Sequence, residues 1–327
     1  MGWYTFEYFK ASGIRMTSLN QTAAQYSVLE NVDKSMFQRS ARILQSMWRV
    51  EQGFEMGHVS NRDRSRPIGS RLPMPWAQES LANYLTRNIQ NVVRSEVLDP
   101  QRSKGKLYGK PRIFNDLLSS QPLCFNLFGE LTLDLPLATS VMKKLTEGKV
   151  ENVTRIEFEW SPGRGDITYT GDRSAFDVYV EFLTPEHKKG FLGIEVKYHE
   201  NLIGKTSPDR ERYDEIARNM NCFDPSRIDE LRAQPLQQIW RDHMLAGIHK
   251  IQNKFDEGIF VFLYPEKNIH CSEAMEQYKK CLTNTDTFLE WTIESVADQV
   301  KQSTKANWID LFIDRYLDFS KVPDSSL

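Results

Sequence analysis

The run Gly258-Ile-Phe-Val-Phe-Leu-Tyr264 is apolar from end to end. Read as a strand, it has no face to offer to water, so other layers must cover it on both sides. That requirement fixes the chain as an α/β protein with helices on a sheet. Upstream, the period of the apolar residues changes once. Before Lys149 it is helical: over 20–55 (Tyr26, Leu29, Val32, Met36, Ile43, Leu44, Met47), over 76–98 (Leu81, Leu85, Ile89, Val92, Val93) and, in two pieces, over 113–149. After it, VTRIEFEW (153–160), AFDVYVEFL (175–183) and 190–198 read as strands, the last rich in Ile, Val and Phe. A helix over 235–252, the apolar strand, and helices over 272–282, 289–300 and 307–319 complete the chain.

The spacing therefore predicts three strands in a meander, a crossover helix and a fourth strand, a mixed sheet flanked by helices. We divide the chain into a helical extension (1–112), a core (113–270) and C-terminal helices packed on the core (271–327). The segment 56–75 reads as an Arg-rich polar loop broken by Pro67, Gly69, Pro73 and Pro75.

Several function classes lack their residues. Cys124, Cys222, Cys271 and Cys281 form no CxxC pair, and the six histidines show no HExxH spacing, so neither a zinc site nor a disulfide framework is expected. Unpaired cysteines suit a reducing cytoplasm. There is no apolar run long enough to span a membrane and no signal-peptide pattern at the N-terminus, and Phe6 stands where a myristoylation motif needs Ser or Thr. Gly204-Lys205-Thr206 lacks the upstream glycine of a phosphate-binding loop, with His199 in its place, and no GxSxG elbow occurs.

The net charge of −2 hides a gradient: Arg62 to Arg112 holds eleven Lys or Arg against four Asp or Glu. Such a segment can track a phosphate backbone or can simply be a solvated surface.

The stretch GIEVKYHE (193–200) carries the chemistry. Glu195 and Lys197, at i and i+2 of a strand, share one face with Cα atoms about 7 Å apart, while Val196 points with Ile194 to the other. Asp177 lies between Phe176 and Val178 in the preceding strand. Buried acids are costly unless paired or bound to a metal. In a meander Asp177 and Glu195 reach one another, and a divalent cation relieves their repulsion. Lys197 would then orient or deprotonate a metal-bound water, or stabilise charge on a phosphate. The competing reading is an ion-pair ladder on an exposed sheet face.

SAFDVYVEF followed by GFLGIEVKY resembles the signature of the PD-(D/E)XK nuclease superfamily, with Phe176 in place of the proline. SSQPLCFNLFGEL (119–131) and QPLQQIWRDHMLA (234–246) resemble the helices before and after the catalytic strands in a bacterial restriction-endonuclease-like subgroup. The resemblance implies a restriction-endonuclease-like fold and a Mg²⁺-dependent DNA endonuclease, with Mn²⁺ able to substitute. It assigns Asp177 and Glu195 to the metal, the Val196 carbonyl and Glu130 as further ligands, Lys197 to the attacking water, and Gln238, with Arg241 one turn on, to the site or the DNA. Glu130 also reads as an exposed helix-end acid, and Gln238 and Arg241 as polar helix surface. Arg210 and Arg212, in the polar stretch 198–219, would join the basic segment on phosphates. His199, beside the site, reads as a structural residue.

A homodimer, a cytoplasmic location and a role in restriction or antiphage defence belong to the same implication. Two other classes stay open: a nucleic-acid-binding subunit of a defence or repair assembly whose site needs a partner, and a structural α/β protein without a site.

Overall fold

The computed structural model describes residues 18–28, 30–61 and 64–323. Phe6, Leu29 and Arg62, used in the sequence reading, lie outside them. The stretch 20–55 is two helices, α1 (Ser18–Gln25) and α2 (Met36–Glu51). The chain turns at Ser27, whose φ is 57°. It restarts at a capping box in which Ser35 and Gln38 satisfy each other's backbone N–H groups.

The Arg-rich loop expected over 56–75 contains a hairpin, β1 (Gly57–Asn61) and β2 (Arg64–Ile68). Pro67 does not forbid it, because in a two-stranded ribbon both strands are edges and a missing N–H goes unnoticed. The single helix expected over 76–98 is also broken. A short turn at Trp76–Ser80 ends at a left-handed Leu81 (φ 53°), and α3 (Arg87–Val93) starts afresh on the Thr86 side chain. Apolar spacing persisted through the break because both pieces contribute to one buried cluster. α4 (Ser120–Leu133) and α5 (Leu135–Leu145) meet at Asp134, whose carboxylate caps α5 by accepting the Leu137 N–H.

The expected strands are present: β3 (Asn152–Trp160), β4 (Phe176–Leu183) and β5 (Lys189–Val196). Then come α6 (Glu211–Met220), which begins in the polar stretch, α7 (Gln237–Gln252), and the apolar strand β6 (Glu257–Tyr264). After α8 (Ile269–Lys280) the chain departs from expectation once more. Residues 288–292 form a fifth strand, β7 (Phe288–Thr292), where a helix was read, and α9 (Ile293–Ser303) begins only after it. Thr292 ends the strand and caps the helix through a box with Ser295, so the short strand was hidden at the head of an amphipathic helical run. α10 (Trp308–Tyr316) follows.

The sheet order is β3-β4-β5-β6-β7. β3/β4 and β4/β5 are antiparallel, β5/β6 and β6/β7 parallel, which is the mixed sheet predicted. On β6, Ile259, Val261 and Leu263 join one buried cluster, and Phe260, Phe262 and Tyr264 the other. Both faces of the apolar strand are covered, as its composition demands. The first cluster runs from Leu19 on α1 through α4 and α5 to Phe312 and Tyr316 on α10; the second packs α6, α7 and α8. Among the described residues no helix is long and apolar enough to cross a membrane.

Candidate active site

The site forms where β5 ends. The antiparallel register sets Val178 opposite Ile194. One step beyond, the Asp177 carboxylate replaces the backbone ladder, accepting the Val196 N–H at 2.9 Å. On its other edge β5 keeps its parallel pairing through the next residue, the Lys197 N–H donating to the Leu263 carbonyl at 2.8 Å. The strand end is thus held on both sides, and Glu195 and Lys197 project together toward α7. Val196 points the other way, into the first cluster.

Lys197 Nζ donates to Glu195 Oε1 at 2.5 Å and to Gln238 Oε1 at 3.1 Å; Gln238 Nε2 donates to the same Glu195 oxygen at 2.6 Å. Two of the three ammonium hydrogens are engaged and one is left. Glu195 and Lys197 are only 5% and 7% exposed, so this is no surface ion-pair ladder. Burial pushes the Lys197 pKa down, but the Glu195, Glu200 and Asp177 carboxylates outweigh it and hold the group above its ordinary value. In this arrangement Lys197 is a cationic donor rather than a base. Asp177 goes the opposite way: burial and then the Glu195 charge raise it well above the carboxylate range, against the pull of Lys197.

Gln238 is where the sequence reading put it. Four residues on, one helical turn, Asp242 is 3% exposed and its Oδ2 has no hydrogen-bond partner. Burial and then Glu195 raise its pKa well above the usual range. Nothing in the pattern of α7 marked it, because a single acid on a buried helix face carries no spacing signal.

The other candidates are used differently. Glu130 is held away from the cluster: Oε1 accepts from Thr86 Oγ1 at 2.5 Å and Oε2 from Asn88 Nδ2 at 3.1 Å, at the start of α3. It is Gln121 and Cys124, near the N-terminal end of α4, that share a cavity lining with Asp177; at 1.5 Å per residue Glu130 lies about 13 Å further along the axis than Gln121. Arg241 binds Asp172 (2.7 Å), Ser207 (2.8 Å) and Ser174 (2.9 Å), so its guanidinium braces the β3–β4 connection against the loop after β5. Arg212 holds the carbonyls of Tyr169 and Thr168. His199 Nε2 lies 3.0 Å from Asp33, which Arg42 also grips, and Gln38 donates to the His199 carbonyl. These contacts tie α2 to the strand end.

Much of the basic segment is likewise paired internally: Arg66 with Glu30, Arg71 and Arg112 with Asp116, Arg102 and Lys106 with Glu96. A cleft of about 280 Å³ opens over Lys197 and Gln238, walled by Asn201 to Lys205. A second concavity of about 320 Å³, lined by Arg42, Arg66, Arg71 and Arg112, meets it at Glu200.

The donor set fits a hard divalent cation. All candidate donors are oxygens: two carboxylates facing across the strands and the Val196 carbonyl beside them. Burial pushes Asp177 up first; the further push from Glu195 is the repulsion a cation would cancel. Among the described residues no three His, Cys, Asp or Glu side chains converge as a ready cage.

A mixed sheet with an Asp and a Glu-Val-Lys at the meeting ends of its second and third strands defines the class, and the comparison with protein families agrees. The family model of the PD-(D/E)XK nuclease superfamily matches residues 31–318. The chain belongs to that superfamily, which implies a metal-dependent nuclease, a phosphodiester hydrolase. No curated protein and no solved structure matches the chain.

Proposed function

We propose that the protein is a Mg²⁺-dependent DNA endonuclease, acting in the cytoplasm in bacterial restriction or antiphage defence. The observation that carries the reading is the buried Glu195–Lys197–Gln238 cluster next to Asp177. The cation, when bound, supplies Lewis-acid charge and an acidified water. Asp177 and Glu195, with the Val196 carbonyl, would hold it.

The rest is done by the chain itself. Gln238 and Lys197 fix one oxygen of Glu195 and leave the other free to bind. The remaining Lys197 hydrogen faces a phosphate or the attacking water and stabilises negative charge that grows in the transition state. The cleft over Lys197 admits the scissile phosphate, with Lys205 on its wall. Cutting both strands of a duplex with one site per chain favours a homodimer.

The internal ion pairs of the basic segment support a second reading, in which the chain is a nucleic-acid-binding subunit and a partner provides the missing positive surface. Plasmid cleavage with Mg²⁺ or Mn²⁺ tests the first. Wild type should cut, and Asp177→Ala and Lys197→Ala should not, while Lys197→Ala still binds DNA. Metal-dependent DNA binding without cleavage by wild type would favour the subunit reading.

A further inference from the structure

The register of β3 against β4 pairs Phe158 with Val178 and Trp160 with Phe176. Glu159 therefore lies across from Asp177, and Asp177 from Glu195: three acids in a row over three strands. Burial and the Glu195 charge raise the Glu159 pKa, against the opposing Arg164. Its backbone is left-handed, with φ at 47°, and its carboxylate binds Arg164 at 2.9 Å and the Gln121 amide at 3.3 Å.

Between Glu159 and Asp177 is a small cavity of about 10 Å³, lined also by Tyr108, Gln121 and Cys124. That is the least space that holds one water, and a buried water needs two to four polar partners. The lining provides them, and the Tyr108 hydroxyl, buried and without a hydrogen-bond partner, is one. Gln121 also accepts the Gly109 N–H at 2.9 Å, which fixes the loop that carries Tyr108.

We propose that Glu159, with the Tyr108 hydroxyl, holds a water in this cavity and through it the divalent cation on Asp177. Glu159 is then the third acidic residue of the site, in the part the sequence resemblance gave to Glu130. The inference rests on the nuclease reading. Glu159 is a positioning residue, and groups one water from a metal tune its affinity about 10- to 100-fold.

The test is Mn²⁺ titration followed by electron paramagnetic resonance of the free ion, on wild type, Glu159→Gln, Tyr108→Phe, Glu130→Gln and Asp177→Asn, with thermal melts alongside. Expected is about 10- to 100-fold weaker binding in Glu159→Gln, a smaller loss in Tyr108→Phe, and wild-type affinity in Glu130→Gln. Unchanged affinity in Glu159→Gln overturns the proposal, as does equal weakening in Glu130→Gln. If Glu159→Gln does not fold, Tyr108→Phe decides, and unchanged binding there overturns it. Wild type that binds no Mn²⁺ overturns the nuclease reading itself; loss confined to Asp177→Asn overturns only the role of Glu159.

Discussion

Asp177 accepts the backbone N–H of Val196 at 2.9 Å, so one proposed metal ligand is fixed by the main chain of the residue that separates the other two site groups. The bond sets the distance between β4 and β5 where the pairing ends. Asp177→Asn keeps the shape and can still accept the Val196 N–H through its amide oxygen, but it loses a charge toward the cation. Mn²⁺ binding should disappear while the fold stays intact by circular dichroism. Because burial and Glu195 already disfavour the charged form of Asp177, the metal-free Asn variant should melt no lower than wild type.

Gln238 holds Glu195 and Lys197 at once. Gln238→Leu is close in size but bonds to neither. We expect kcat to fall about 10- to 100-fold, with the DNA Kd little changed. A variant with full kcat would show that the amide does not orient the site.

Gly193 precedes Glu195 on the same face, and a Cβ there would meet the Phe176 ring at 2.4 Å. Phe176 adjoins Asp177. Gly193→Val should therefore push the ring and the Asp177 backbone apart, costing about 1–3 kcal/mol and lowering cleavage more than stability. A double substitution with Phe176→Ala should recover part of both, measured by melts and cleavage rates.

Asp172 receives Arg241 at 2.7 Å, the Tyr213 hydroxyl at 2.7 Å and the Ser174 N–H at 2.8 Å. Burial alone would raise its pKa, but Arg241 and these donors together hold it below the ordinary 3.8. A carboxyl depressed in the folded state contributes stability above its unfolded pKa and loses it as pH falls through the folded one. Stability should decline below about pH 4, and Asp172→Asn should flatten that part of the curve. At neutral pH the variant leaves the half-buried Arg241 without its ion-pair partner, a loss of about 1–3 kcal/mol. Urea melts at several pH values check both.

Lys205 lines the cleft over Lys197 on an exposed stretch of loop. Lys205→Ala should weaken DNA binding across sequences and reduce the slope of log K against log salt by about 0.9. An unchanged slope would place the strand elsewhere.

The sequence by itself determined four of the five strands of the sheet and brought the candidate acids onto two adjacent ones. The apolar run 258–264 required cover on both faces, and alternation around Asp177 and Glu195 put the acids on adjacent strands. Those are short-range patterns, fixed by the two-residue repeat of a strand. What spacing could not show was which side chains each carboxylate meets. Glu130 and Glu159 both sit near apolar segments; only packing of α4 sent one to Thr86 and only the β3 register set the other across from Asp177. Arg241, His199 and the basic segment carry charges any sequence reading must count, and tertiary contacts spent most of them on internal partners. β7 and the β1–β2 hairpin were missed for the same reason: short strands gain their stability from neighbours, not from their own residues. Local pattern fixes which groups face inward; the long-range register decides which of them meet.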